Sequence, residues 1–255
     1  MAPMSSTTSS TVGFGIDFGG TGIKGAPVDL TIGRFAEERV RFKTPDKSTP
    51  ANVADVFVEL LAAFPDATGP VGVTVPGVVS HGVVQTAANI DRDWIGTDAD
   101  TLFTRKLGRQ VYVVNDADAA GLAEVRYGAA RGVKGLVIVT TLGTGIGSAL
   151  VHDGVLIPNS ELGHLEIDGH DAEKRAANSV REREELSWKQ WAHRLQRYYS
   201  TLEQLFTPDL IVVGGGVSKQ AAEFLPLLRL RTRIVPAELR NNAGAVGAAL
   251  YAAER

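Results

Sequence analysis

Apolar residues along the chain fall into two spacings, short β-favouring runs and stripes at helical period, and their order predicts two similar halves. In the first half, strands are predicted over 12–17, 23–30 and 37–42, with a glycine turn over 18–22. Val53, Val56, Phe57, Leu60, Leu61 and Phe64 recur on one helical face and predict a core-facing helix over 53–64. A strand over 71–75 is stopped by Pro76-Gly77, and the Asp-rich stretch 91–107 reads as irregular with a helical turn. Residues 111–114, four β-favouring side chains in a row, read as a central strand running into a helix that reaches about Tyr127.

The pattern then restarts. Strands are predicted over 136–141 and 148–152, with a glycine turn between them and a further short strand over 155–157. A long helical region over 172–206 carries Trp188, Trp191, Leu195, Tyr199, Leu202 and Phe206 as a core-facing stripe. A strand over 210–213 ends in Gly214-Gly215-Gly216, Ser218 is placed to cap a helix over 219–228, a strand follows over 232–235, and a small-residue helix over 244–253 closes the chain. Gly20-Thr21-Gly22-Ile23 recurs as Gly143-Thr144-Gly145-Ile146, each copy leaving an apolar strand and entering another. Such a duplication predicts two lobes facing a cleft: 12–115 as a small lobe completed by helix 243–255, and 116–242 as a large lobe. Residues 1–11, Ser/Thr-rich with neither a basic start nor an apolar run, read as a frayed tail rather than a secretory signal.

Composition narrows the function. A formal net charge of −3, from 26 Lys+Arg against 29 Asp+Glu, argues against general binding of nucleic acid or anionic membrane. No stretch approaches the roughly 20 apolar residues of a membrane helix, and the absence of cysteine removes disulfides and thiolate metal sites. A soluble protein of the cytoplasm is expected.

The two Gly-Thr turns offer unobstructed backbone N–H groups beside a hydroxyl, a concavity suited to phosphate oxygens as well as to plain hairpins. Gly20 to Gly25 also matches the G-x-G-x-x-G dinucleotide pattern, but a strand follows where that motif requires a helix. No Walker A motif is present. At an offset of 123 residues Asp17 corresponds to Thr140, so only the first turn has a carboxylate beside it; a cation such as Mg²⁺ between Asp17 and phosphate, held through water, would relieve the repulsion. Lys24 either adds positive charge there or is a solvated strand lysine. Asp116 stands where a helix cap is expected, and a helix N-terminus lowers a carboxylate's pKa and keeps it ionised. The Glu/Asp/His-rich stretch 159–173 invites a metal site, but it matches no helical His pair or known ligand spacing and there are no thiolates; the alternative, hydrogen bonding to a polyol, suits its carboxylates and imidazoles better.

Asp17-Phe18-Gly19-Gly20-Thr21, Val75-Pro76-Gly77, Val114-Asn115-Asp116-Ala117 and Glu161-Leu162-Gly163-His164, in this order, resemble the ROK family of sugar kinases. The resemblance implies an α/β, actin/hexokinase/Hsp70-like (ribonuclease H-like) duplicated fold. Residues 141–149 and 159–164 resemble in particular the family's polyphosphate-using glucokinases, including the polyphosphate/ATP glucomannokinase type. By this resemblance Asp116 would be the general base that takes the proton of the sugar 6-hydroxyl. Asn89, Asn115, Glu161, His164 and, on a looser alignment, Glu173 would hold the other hydroxyls, with Gly77 approaching through its backbone. Gly19, Gly20, Thr21, Gly22, Thr141, Gly143, Thr144 and Gly145 would cradle phosphates, and Gly214, Gly215 and Gly216 would line the nucleotide or polyphosphate end. The implied substrates are glucose or mannose with inorganic polyphosphate and/or ATP, with Mg²⁺ as cofactor, in a homodimer.

One departure stands out: the family's cysteine-rich zinc motif is missing, so no zinc is expected. Lys174, Arg175, Arg181, Arg183, Lys189, Arg194 and Arg197 are candidates for a polyphosphate track, although the interleaved Glu182, Glu184 and Glu185 suit a solvated, ion-paired helical face. An ATP-only kinase for glucose or an N-acetylated amino sugar is the near alternative. A sugar-sensing regulator of the same family would need a helix-turn-helix, for which the dozen residues before the first strand leave no room.

Overall fold

The computed structural model describes residues 11–255, so the tail expected over 1–11 lies, but for Thr11, outside the described residues. The first half contains β1 (Val12–Phe18), β2 (Gly22–Asp29), β3 (Arg34–Phe35), β4 (Val40–Lys43), α1 (Pro50–Ala62), β5 (Val71–Val75), a small hairpin of β6 (Val79–Ser80) and β7 (Val83–Val84), α2 (Ala99–Leu107), β8 (Val111–Asn115) and α3 (Asp116–Tyr127). Its six-stranded sheet runs β3-β2-β1-β5-β8, with β4 also on β2. The second half contains β9 (Leu136–Leu142), β10 (Ile146–His152), β11 (Val155–Ile157), the hairpin β12 (Glu166–Ile167) and β13 (His170–Asp171), α4 (Glu173–Ala176), α5 (Asn178–Arg183), α6 (Trp188–Phe206), β14 (Leu210–Gly214), α7 (Ala221–Phe224), β15 (Arg233–Pro236) and α8 (Ala243–Ala253). Its sheet runs β11-β10-β9-β14-β15.

Each sheet is covered on both faces. Phe14 and Phe18 of the first sheet pack with Phe57 of α1, Phe103 of α2 and Trp94, all fully buried. Burying each such ring is worth roughly 1.5–3 kcal/mol. The opposite face takes α8 at very close range, because Gly15 and Gly72 leave room for the carbonyls of Ala245 and Ala248. On the second sheet the predicted stripe of α6 is buried through Trp191, Leu195, Tyr199 and Leu202, while α3 lies on the other face, with Gly121 against Ala149. Helices α3 and α8 meet across Gly247, which abuts the Ala119 carbonyl, so the two sheets are joined through a pair of helices in backbone contact.

Four expectations change. The strand expected over 37–42 is displaced to β4, with β3 as a separate partner of β2. The stretch 91–107 contains a full helix, α2, capped by Asp98 and ended by Gly108 in the left-handed conformation. The region 172–206 is broken into α4, α5 and α6 because Ala177 is extended (ψ 153°) and Ser187 starts α6 with a capping box. The helix expected over 219–228 shrinks to the single turn α7 between short 3₁₀ turns, the second containing Pro226. Ser218 donates its hydroxyl to the Gly215 carbonyl instead of capping α7.

The duplication is real in register but shifted by one residue. Phe18 pairs with Ile23 across a four-residue turn, whereas Leu142 pairs with Ile146 across three residues. The alternation of buried positions in β1 and β9 coincides when the offset is 124. The counterpart of Asp17 is therefore Thr141, and the expected Thr140 is instead buried against the Tyr199 hydroxyl at 2.8 Å.

Candidate active site

A cleft of about 870 Å³ opens between the two sheets. One wall is formed by Gly19, Gly20, Thr21, Gly77 and Asn89 and the other by Thr141, Gly143, Thr144, Gly145, Glu161, His164, Glu173 and Gly215, with Asn115 and Asp116 at its base. Of the residues singled out in the sequence, Asp17, Gly22, Lys24, Gly214 and Gly216 do not line it. Gly214 is buried within β14, and Gly216 begins the adjoining 3₁₀ turn.

Both glycine turns close on themselves, Gly19 N–H donating to Gly22 O and Gly143 N–H to Gly145 O, each at 3.0 Å. A side chain at Gly143 would meet open space, which leaves its backbone bare toward the cleft. Gly215 has φ 82°, and a Cβ there would collide with the backbone of Leu142, so this position requires glycine. Gly77 is packed against the Thr86 carbonyl for the same reason.

Asp116 begins α3 but does not cap it. The cap is Asn115, whose Oδ1 accepts from Ala117 N at 2.9 Å and Asp118 N at 3.0 Å while its Nδ2 donates to Gly77 O at 3.0 Å. Strand β8 extends one residue further than the apolar run indicates, which moves the cap from Asp116 to Asn115 and leaves the Asp116 carboxylate facing the cleft. Asn115 thus retains only one N–H of its amide for a ligand. The expectation of a depressed Asp116 pKa is also overturned. Burial in the cleft wall, then the neighbouring Asp17 carboxylate, push it up to about 7, against the lowering by the Ala117 N–H. A helix terminus contributes a few tenths to one kcal/mol per charge, too little to offset desolvation combined with a like charge.

Asp17 is held on two sides. Its Oδ2 lies 2.8 Å from Lys24 Nζ, and its Oδ1 accepts from Thr74 Oγ1 at 2.9 Å. Lys24 is therefore paired rather than solvated. The buried Thr74 also takes the Phe18 N–H, which fixes the carboxylate relative to the strand. Across the cleft, Ser148 Oγ donates to Ser160 O at 2.7 Å and accepts from Leu162 N at 2.9 Å, which holds the loop carrying Glu161. Burial raises the Glu161 pKa, opposed by His164. His164 is raised in turn, chiefly by its Nδ1 hydrogen bond to Asp171 at 3.0 Å. Glu173 accepts from Ile146 N at 3.1 Å, leaving its other oxygen without a hydrogen bond among the described residues. Thr74 and Ser148 were missed by sequence reasoning, since a lone hydroxyl in a buried strand carries no spacing signal.

Two cation-holding sets can be distinguished. Asp17 offers a carboxylate beside the first turn, the hard oxygen ligand that Mg²⁺ takes, with Lys24 Nζ already paired to one of its oxygens. His164, Asp171 and Glu173 each offer one ligand atom, all within 4.8 Å of one another. Internal hydrogen bonds occupy this set as well, because Asp171 also accepts from Glu173 N at 3.2 Å. The helical cations are largely taken up: Arg194 pairs with Glu184 at 2.7 Å, Arg197 grips Asp168 with two nitrogens, and Arg181 lies over the Trp188 ring.

A cleft between duplicated halves, with glycine turns facing a carboxylate at a helix start, defines a sugar kinase of the actin/hexokinase-like fold, and the chain belongs to the ROK family, whose description matches residues 13–176. It is 52% identical over 239 residues to the polyphosphate glucokinase of Mycobacterium tuberculosis, covering 93% of this chain and 90% of the relative. Among solved structures it is similar to the inorganic polyphosphate/ATP-glucomannokinase of Arthrobacter sp. strain KM, with 57% identity, TM-score 0.92, and coverage of 96% of this chain and 99% of that one. The ROK family glucokinase of Streptomyces griseus in complex with glucose and AMPPNP shares the fold at 24% identity and TM-score 0.82, over 96% of this chain and all of the other. Among the described residues no helix is long and apolar enough to cross a membrane.

Proposed function

We propose that this chain transfers a phosphoryl group from inorganic polyphosphate or ATP to the 6-hydroxyl of glucose, with mannose as a second acceptor, in the cytoplasm and as a homodimer. The observation that carries the reading is Asp116 at the base of the cleft, between two phosphate-type turns and a set of hydroxyl-binding side chains. The identity to polyphosphate glucokinases supports the donor. We divide the lobes at residue 115: 12–115 with 243–255, whose helix α8 lies on the first sheet, and 116–242.

In this reading the sugar oxygen attacks the terminal phosphorus as its bond to the departing phosphate opens, and the hydroxyl proton passes to Asp116. A base near neutrality suits this transfer better than one near pKa 4. Glu161, His164, Asn89 and the free oxygen of Glu173 orient the remaining hydroxyls, while Asn115 acts mainly by fixing Gly77 and the helix start. Turns 19–22 and 143–145 receive phosphate oxygens, with Gly215 at the far end of the donor. Mg²⁺, held by Asp17 through water, would neutralise donor charge when bound. Without cysteine, the thiolate zinc site has no ligands here, and the reaction is assigned no zinc.

A coupled assay crossing glucose, mannose and an N-acetylated amino sugar with ATP and polyphosphate tests the assignment. Turnover of glucose with both donors is expected; glucose turnover with ATP and none with polyphosphate would overturn the donor, and no glucose turnover would overturn the acceptor.

A further inference from the structure

The helical arginines singled out as a polyphosphate track are mostly committed to ion pairs, but a second cationic row lies beside the first glycine turn. Strands β1, β2 and β4 pair antiparallel, placing Asp17 opposite Lys24, Lys24 opposite Arg41, and Gly22 opposite Lys43. Directly opposed side chains stand on one face of a sheet, as do alternate residues of one strand. Asp17, Lys24, Arg41 and Lys43 therefore share a face. It is the face on which α8 packs through Gly13 and Gly15, and the helix covers it only as far as Asp17, which Gly244 approaches. The intervening Val40 and Phe42 turn the other way, into the core of the first half.

Arg41 is the distinctive member of this row. Its guanidinium lies over Gly22, where an added Cβ would stand 2.8 Å from Nε and 2.9 Å from Nη2, so glycine is what admits it. It is exposed and makes no hydrogen bond or ion pair among the described residues. Among the described residues Lys43 pairs only with Asp46, both side chains being more than three-quarters exposed (78% and 87%), an arrangement worth little in water and readily exchanged. The acidic groups on the row, Asp17 and Asp46, are each matched by a lysine. The end of β4 is fastened to the turn, because Thr44 Oγ1 donates to Gly19 O at 2.6 Å. The row is thus fixed relative to the phosphate-type turn and leads away from it.

We propose that Arg41, with Lys43 beyond it, forms an extension subsite for linear polyphosphate: chain residues behind the transferred phosphoryl group leave the Gly19–Gly22 turn over Gly22 and follow the outer end of β4. This rests on polyphosphate as a donor. A polyanion whose charge continues beyond a nucleotide's three phosphates gains from such a row, whereas the nucleoside of ATP carries no charge to meet it.

The test compares wild type with Arg41→Gln, Arg41→Glu and Lys43→Gln, using tripolyphosphate, long-chain polyphosphate and ATP at several salt concentrations. The expected result is a fall of about tenfold or more in the ratio of kcat/KM for long-chain polyphosphate to that for ATP in Arg41→Glu, carried by KM. The fall should be smaller with tripolyphosphate. In Arg41→Gln the salt slope of log kcat/KM for long chains should become shallower by about 0.7–0.9. A ratio unchanged within about twofold in both Arg41 variants overturns the subsite, and an equal loss with ATP reassigns Arg41 to phosphates common to both donors. Absence of polyphosphate turnover by wild type overturns the donor assignment itself. That result differs from a wild type that uses polyphosphate and variants that match it.

Discussion

Asn159 grips the backbone of Val79 from across the cleft: its Nδ2 donates to Val79 O at 2.8 Å and its Oδ1 accepts from Val79 N at 2.9 Å. An amide side chain here does what a neighbouring strand would do. The Asn159 backbone, in the left-handed region at φ 61°, donates to Asp118 Oδ2 at 2.7 Å. Asp118 is only 1% exposed, and burial lifts its pKa to about 7. The chain from α3 through Asp118 and Asn159 to Val79 ties the two halves together two residues from Glu161.

Replacing Asn159 by Ala removes both cross-cleft hydrogen bonds. Stability should fall by about 1–3 kcal/mol, and the KM for glucose should rise several-fold as the Glu161 loop loosens. Thermal melts and glucose saturation curves check this; unchanged values of both would show that the contact holds nothing.

The raised pKa of Asp116 makes two pH predictions. As the proposed base it must be ionised, so kcat/KM should rise with pH through an inflection near 7 and level off above it, with the inflection moving lower as Mg²⁺ is raised. For stability the sign runs the other way. With a folded pKa of about 7 against an ordinary 3.8, the folded state binds more protons over that interval, so this group lowers stability as pH rises from about 4 to 7. Metal-free Asp116→Asn should therefore gain melting temperature relative to wild type at pH 8 and much less at pH 4. A stability difference that does not depend on pH would contradict the buried, charge-crowded position.

Helices α3 and α8 owe their approach to Gly247, whose missing side chain admits the Ala119 carbonyl. Gly247→Ala should cost about 1–3 kcal/mol by overpacking against backbone, despite the higher helix propensity of Ala. Denaturant titration measures it, and a stabilised variant would mean that the helices can slide apart freely.

Much of this arrangement is legible in the chain. Strands β1, β5, β8, β9 and β14 are runs of β-branched and apolar residues that central strands demand, and Asp17, Asp116 and the paired Gly-Thr turns stand at their ends. Details that depend on distant partners are not. Whether Asn115 or Asp116 caps α3 turns on one residue of strand pairing with β5. The one-residue shortening of the second turn is visible only in register, and it moves the counterpart of Asp17 from Thr140 to Thr141. The break at Ala177 leaves no mark, since alanine is an ordinary helix former, whereas the start of α6 is written in the Ser187-x-x-Gln190 capping box. The Arg41 guanidinium over Gly22 arises from the pairing of β2 with β4, Gly22 opposite Lys43 and Lys24 opposite Arg41, and has no local pattern.

The account rests on Asp116 as the group that accepts the sugar proton. The most direct measurement is the kcat of Asp116→Asn for glucose with saturating polyphosphate and with saturating ATP, alongside equilibrium glucose binding. The account predicts a fall in kcat of at least about 10²-fold with both donors while glucose still binds and the fold persists. Turnover close to wild type with either donor would contradict it.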